Sequence, residues 1–145
     1  MFFQKTFIPH GGYWSTPFCR WQGSLAHLHA IPFAADIAAR ALEERGISPQ
    51  VFDSLFFGIT VPQKHSFYGG PWLAGLMGAE TITGPMIGQA CATAARLMAL
   101  AGFEVEASAG AGEERVLLTI SADRCSNGPH IYYPNPMGPG GTGDT

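Results

Sequence analysis

Residues 83–96, Thr83-Gly84-Pro85-Met86-Ile87-Gly88-Gln89-Ala90-Cys91-Ala92-Thr93-Ala94-Ala95-Arg96, decide how this chain is read. An apolar, strand-like run over 83–89 is followed by an alanine-rich run with helical propensity, so one cysteine stands where a strand hands over to a helix. The first turn of a helix carries unpaired backbone N–H groups and lies at the positive end of the helix dipole, and both favour negative charge. A thiol in that place is set up as a nucleophile.

Working outward, strand and helix patterns alternate along most of the chain. Residues 30–45 form the first clear helix: Ile31, Ala34, Ile37, Ala38, Ala41 and Leu42 recur at helical spacing, Pro32 falls in the opening turn, and Gly46 ends it. Ser48-Pro49 reads as a cap followed by a short helical turn around 50–52. The run SLFFGITV over 54–61 is apolar almost throughout, the pattern of a strand covered on both faces. A short helix at 71–77, a strand at 83–89, a helix from 91 to 101 that can extend towards 109, and a buried strand within 114–122 follow. Residues 5–9 are expected to form a short first strand, and 10–24 an irregular segment punctuated by Gly and Pro. The alternation predicts an α/β fold, a mostly parallel sheet with helices on its faces. From Asn127 to Thr145 the chain is too rich in Gly and Pro to continue either element.

Composition narrows the classes of function. The 145 residues fit one domain, and 46% hydrophobic content against 13% charged residues suits a buried core. A net charge of −3 without a basic stripe argues against a nucleic-acid partner. No apolar run approaches the roughly 20 residues of a membrane helix, and the N-terminus lacks a signal-peptide pattern. Three cysteines without framework spacing suit free thiols in a reducing compartment, so the cytoplasm is expected. The histidines and cysteines show no paired short spacing, and no metal site is expected. Gly138 to Gly143 is no nucleotide loop, because no strand precedes it and no lysine or helix follows.

Taken in order, the segments GGYWSTPFCRWQGSL, a helix, VFDSLFFGITV, WLAGLMGA, ITGPMIGQACATAA, a strand and SNGPH resemble the N-terminal half of the thiolase family. Thr16-Pro17-Phe18, Gly23-Ser24-Leu25, Ala74-Gly75-Leu76, Cys91 and Ser126-Asn127-Gly128-Pro129-His130 carry the resemblance. It implies a thiolase-like N-terminal half-domain over residues 1–126, short of its last strand, with 127–145 as the start of the loop domain. It implies acyl-CoA C-acyltransfer through an acyl-cysteine, with acyl-CoA as substrate, coenzyme A as a substrate rather than a resident cofactor, and a role in lipid metabolism. Cys91 is then the catalytic acyl carrier. Ala92 and Thr93 lie beside the acyl group and His130 near the active-site entrance, so these three are the expected substrate-binding residues. The partners implied are a second copy of the chain or a complementing C-terminal half.

Departures from the family pattern sharpen the expectation. Cys19 stands where the family has glycine after Thr-Pro-Phe, and Ala92-Thr93-Ala94 replaces the common Gly-Ser-Gly, which suits a branch acting on larger or unusual acyl groups. The acid/base groups of the family, a histidine in a GHP-like segment and a cysteine in a CxG-like segment, belong to its second half, and neither motif occurs in these 145 residues. His10, His27, His29 and His65 read as loop or surface histidines. Cys19 reads as a packed small side chain, and Cys125 is given no role. The aromatic loop segments around Trp14, Phe18 and Trp21 and around Phe67, Tyr68 and Trp72 suit the core, an acyl pocket or a subunit contact. Two other readings stay open: a ketoacyl synthase-like condensing enzyme, and a non-catalytic thiolase-like subunit or binding module.

Overall fold

The computed structural model describes residues 3–126. The expected start of a loop domain at 127–145, and with it His130, lies outside them. Three parallel strands form the sheet, in the order β2-β1-β3, with β1 Ser54–Gly58, β2 Met86–Ile87 and β3 Leu117–Ser121. The chain crosses from β1 to the edge strand β2 through α2 (Gly69–Leu76), then back over β1 to β3 through α3 (Thr93–Gly110). The first helix, α1 (Ala30–Glu43), precedes the sheet.

Alternation along the central strand divides the core into two layers. Leu55 and Phe57 of β1 point to one face, where they pack with Ile31, Ala38 and Leu42 of α1 and Leu73 of α2. Phe56 points to the other and meets Leu97 and Ala101 of α3. All five residues of β1 are buried, as a strand roofed on both faces requires. The result is the α/β arrangement of a parallel sheet with helices on both faces.

The caps of α1 explain its bounds. Its N-cap is His29, whose Nδ1 accepts the Ile31 N–H while Nε2 donates to the Lys64 carbonyl at 2.8 Å. At the other end Gly46 adopts φ +64, and the Ile47 N–H reaches back to the Leu42 carbonyl at 2.9 Å, closing the helix in a glycine-dependent turn. The turn after Ser48 is a short 3₁₀ helix, Pro49–Val51, capped by the serine hydroxyl.

Elsewhere the structure shifts the expected bounds. Helix α2 begins two residues before Pro71, where Gly69 lets the chain pass close to the sheet and α1: a Cβ on Gly69 would lie about 3 Å from Phe57, Ile31 and Met86. Strand β2 is shorter than 83–89. Pro85 has no N–H to give a ladder, although the carbonyls of Thr83, Pro85 and Ile87 accept from Leu55, Phe57 and Ile59 in turn. A 3₁₀ turn, Ala90–Ala92, separates β2 from α3, so the helix proper starts at Thr93 and runs to Gly110.

The expected first strand at 5–9 does not form. Its backbone donors have gone to a side chain instead: the Gln4, Lys5 and Thr6 N–H groups all bond the Glu106 carboxylate of α3, at 3.0, 3.0 and 3.1 Å. The irregular segment after it is tied to the end of α1, where the Arg45 guanidinium donates to the Gly11 and Tyr13 carbonyls and lies 5.6 Å over the Trp14 ring.

Candidate functional site

In an open parallel sheet the crevice for ligands lies beyond the carboxyl ends of the strands, where successive crossovers leave in opposite directions. Here β1 feeds α2 on one face and β2 feeds α3 on the other. The segments beyond β1, β2 and β3 carry Thr60 to Ser66, Gly88 to Ala92 and Asp123 to Ser126. Cys91 is on the middle one of these, in the 3₁₀ turn before α3, and it is exposed.

Backbone strain collects at the same end. Gln22, His65 and Ala90 are the described non-glycine residues with positive φ. Ala90 immediately precedes Cys91, His65 follows β1, and Gln22 is joined to the segment after β3 by its N–H bond to Ser126 Oγ at 2.6 Å. Residues bearing a Cβ adopt this conformation only where surrounding contacts impose it, and such places cluster at functional sites.

Those contacts are explicit around Cys91. Thr93, buried at the first turn of α3, accepts the Gln89 N–H at 2.7 Å and donates to the Ala90 carbonyl at 2.8 Å. Thr60, just beyond β1, places its hydroxyl 2.8 Å from that of Thr93 and 3.2 Å from the Ala90 carbonyl. The Thr60 and Val61 N–H groups in turn bond Asp123 Oδ1 at 2.7 and 2.8 Å. Gly58 admits α3 to this corner, since a Cβ there would stand 2.7 Å from Thr93 Cγ2.

An open cavity of about 430 Å³ lies beside the turn, at the ends of β1 and β2. Ile59, Pro62, Phe67, Met86 and Ile87 make it apolar, with His65 as its titratable residue. Cys91 is not in its wall.

Of the expected site residues, Cys91 and Ala92 are exposed side by side, whereas the Thr93 hydroxyl is turned inward and engaged in the turn. His29 has both ring nitrogens committed to backbone groups. Cys19 and Cys125 are exposed, and Cys19 Sγ lies 3.3 Å from Ser24 Oγ. Trp14 and Trp72 pack on the core, while Phe18, Trp21, Phe67 and Tyr68 stand out from the surface. Sequence reasoning missed Thr60 and Asp123. The signal was a polar residue at the end of each long apolar run, Thr60 closing SLFFGIT and Asp123 following LLTISA.

Among the described residues, no group of three or more His, Cys, Asp or Glu side chains could hold a metal ion, and no helix is long and apolar enough to cross a membrane. No family model matches the sequence, and no curated protein sequence matches it either. Solved structures do. The acetyl-CoA acetyltransferase of Bacillus anthracis superposes with a TM-score of 0.69 at 17% identity, over 81% of this chain and 29% of that one. The acetyl-CoA acetyltransferase of Syntrophomonas wolfei gives a TM-score of 0.52 at 22% identity, over 65% of this chain and 24% of that one. The chain thus spans less than a third of the length of either. What these likenesses establish is the fold: a thiolase-like α/β arrangement, built here around β2-β1-β3.

Proposed function

We propose that this chain is the nucleophile-bearing part of a thiolase-type acyl-CoA C-acyltransferase and that Cys91 carries the acyl group. The observation that supports this most is positional. In a thiolase-like fold, an exposed cysteine occupies the strand-to-helix turn at the carboxyl edge of the sheet, within the ordered motifs that resemble the family.

In the thiolytic direction the Cys91 sulfur attacks the 3-carbonyl of a 3-oxoacyl-CoA, and the tetrahedral adduct collapses with cleavage of the C2–C3 bond. The electron pair leaves with acetyl-CoA as its enolate, which takes a proton from a general acid. Coenzyme A then attacks the Cys91 thioester, passes its thiol proton to a base, and departs as the shortened acyl-CoA. The open apolar cavity before the turn suits the aliphatic part of such a substrate. The two proton-transfer groups belong to the GHP-like and CxG-like segments that these 145 residues do not contain.

The 145-residue chain alone is therefore expected not to turn over acyl-CoA. A positioned acid/base supplies ~10²–10⁴-fold in rate, and each oxyanion donor about 10²–10³-fold. The test is thiolysis of acetoacetyl-CoA by the chain alone, then with a thiolase C-terminal half supplied in fusion or as a separate chain, with Cys91→Ala as control. Cys91-dependent turnover that appears only on complementation supports the reading. Turnover by the chain alone would show that one of its own residues moves the proton. No acylation of Cys91 in either arm favours a non-catalytic thiolase-like module.

A further inference from the structure

The peptide before Cys91 is held in place by groups that arrive from the ends of the two other strands. Ala90 sits at φ +46, and its carbonyl is drawn inward by the Thr93 hydroxyl at 2.8 Å and the Thr60 hydroxyl at 3.2 Å. Each hydroxyl has one proton to give. The Thr93 proton goes to Ala90, and the Gln89 N–H occupies a lone pair of the same oxygen, so the Thr60 proton closes the set by pointing at Thr93 Oγ1 or the Ala90 carbonyl. Thr60 has no freedom to withdraw. Its own N–H, with that of Val61, is fastened to the Asp123 carboxylate, a charge-assisted pair of bonds from beyond β3. A line of hydrogen bonds therefore crosses all three strand ends and terminates on the peptide that presents the cysteine.

We propose that Thr60 and Asp123 are positioning residues for Cys91, holding Ala90 in its left-handed conformation so that Cys91 stays at the start of α3. The proposal deepens the function proposed above and rests on Cys91 being its nucleophile. Without the Thr60 hydroxyl, the Thr93–Ala90 pair loses the proton that completes its set of hydrogen bonds, and the turn relaxes to ordinary φ. The cysteine then leaves the helix start, where backbone N–H groups favour the attacking anion.

The experiment is brief alkylation of the folded 145-residue chain with iodoacetamide at neutral pH, with peptide mapping to give the Cys91 rate relative to Cys19 in the same molecule. Thr60→Val removes the hydroxyl with little change of shape and is expected to lower that ratio about fivefold, the worth of one hydrogen bond. Thr60→Ser restores the hydroxyl and should stay within about twofold of the parent. Asp123→Ala is expected to act like Thr60→Val. Asp123→Asn keeps an oxygen facing both N–H groups but not the charge, and serves as the milder arm, with about a twofold fall, should the others not fold. An unchanged ratio in any folded variant other than Thr60→Ser overturns the proposal. So does an equal fall in Thr60→Val and Thr60→Ser, which would be general loosening rather than loss of one bond. Acyl transfer is read separately: if alkylation responds as expected while Cys91→Ala leaves complemented turnover intact, the enzymatic reading fails and the positioning stands.

Discussion

At the residue scale, side chains that accept backbone N–H groups carry much of the specificity of this structure. Glu106 is the clearest. The Lys5 N–H, then that of Gln4, and the Thr6 hydroxyl and N–H hold its carboxyl below the usual carboxylate range, since each bond favours the charged form. A carboxylate whose folded pKa is depressed contributes its full stabilisation above the ordinary carboxylate range and loses it as pH falls through the lowered value. Acidification should therefore release residues 3–8 from α3 while the sheet is still formed. The protection of the Gln4, Lys5 and Thr6 amides relative to their intrinsic exchange rates would fall in that pH window, and Glu106→Gln would show low protection already at neutral pH. Equal protection of those amides in parent and variant would count against the tether. Cys91 supports a second prediction of this kind. Of the three exposed cysteines it alone stands between a strand end and a helix start, so it should be alkylated fastest in the folded chain. Faster labelling of Cys19 or Cys125 in peptide maps would reverse the assignment.

At the scale of elements, the close approaches are where substitution has a computable sign. A Cβ on Gly84 would stand 2.0 Å from the Leu55 carbonyl oxygen, which is backbone of the central strand and cannot yield without separating β1 from the chain before β2. Gly84→Ala is expected to cost about 3 kcal/mol or more in urea unfolding. Gly75, exposed within α2 with nothing within 4 Å of where a Cβ would stand, is the converse, and Gly75→Ala should gain about 0.5–1 kcal/mol. The same contrast marks what could be read from the sequence. Helix α1 and strand β1 were legible because each is specified locally, one by helical periodicity between a cap and Gly46, the other by an unbroken apolar run. The parallel order and Cys91 at a strand-to-helix junction followed from the same alternation. Residues 5–9 misled because a strand needs a neighbour, and what claims their donors is a carboxylate about 100 positions away. The brace at Cys91 was hidden for the same reason: Thr60 lies 30 positions from Ala90 and 63 from Asp123, so no local pattern joins them.

At the scale of the whole molecule, a three-stranded sheet holds together a chain whose first 29 residues contain no regular element among those described. That segment is fastened at successive points, to α3 through Glu106, to the end of α1 through Arg45, and to the strand ends through Ser126 and Arg124. Fastening it leaves large apolar surface outside: Phe18 is fully exposed, Phe67 is 80% exposed, and Trp21 and Tyr68 are each 71% exposed. A further apolar groove of about 420 Å³ runs between Phe3, Phe7 and Ile8 and the Ala95, Met98 and Ala99 side of α3. Single exposed aromatics are ordinary, but several of them on a chain that also has open sheet edges are not, because an unpaired edge offers N–H and carbonyl groups to any chain that can align with it. Both β2 and β3 are such edges among the described residues. The 145-residue chain is accordingly expected to form dimers or larger species at micromolar concentration. Supplying a thiolase C-terminal half should lower the apparent size of those assemblies by covering the same surface. Light scattering coupled to size exclusion reads both states. A clean monomer for the chain alone would mean that its edges and aromatics are already covered by its own residues, and the expectation of a partner drawn from exposed surface would fall with it.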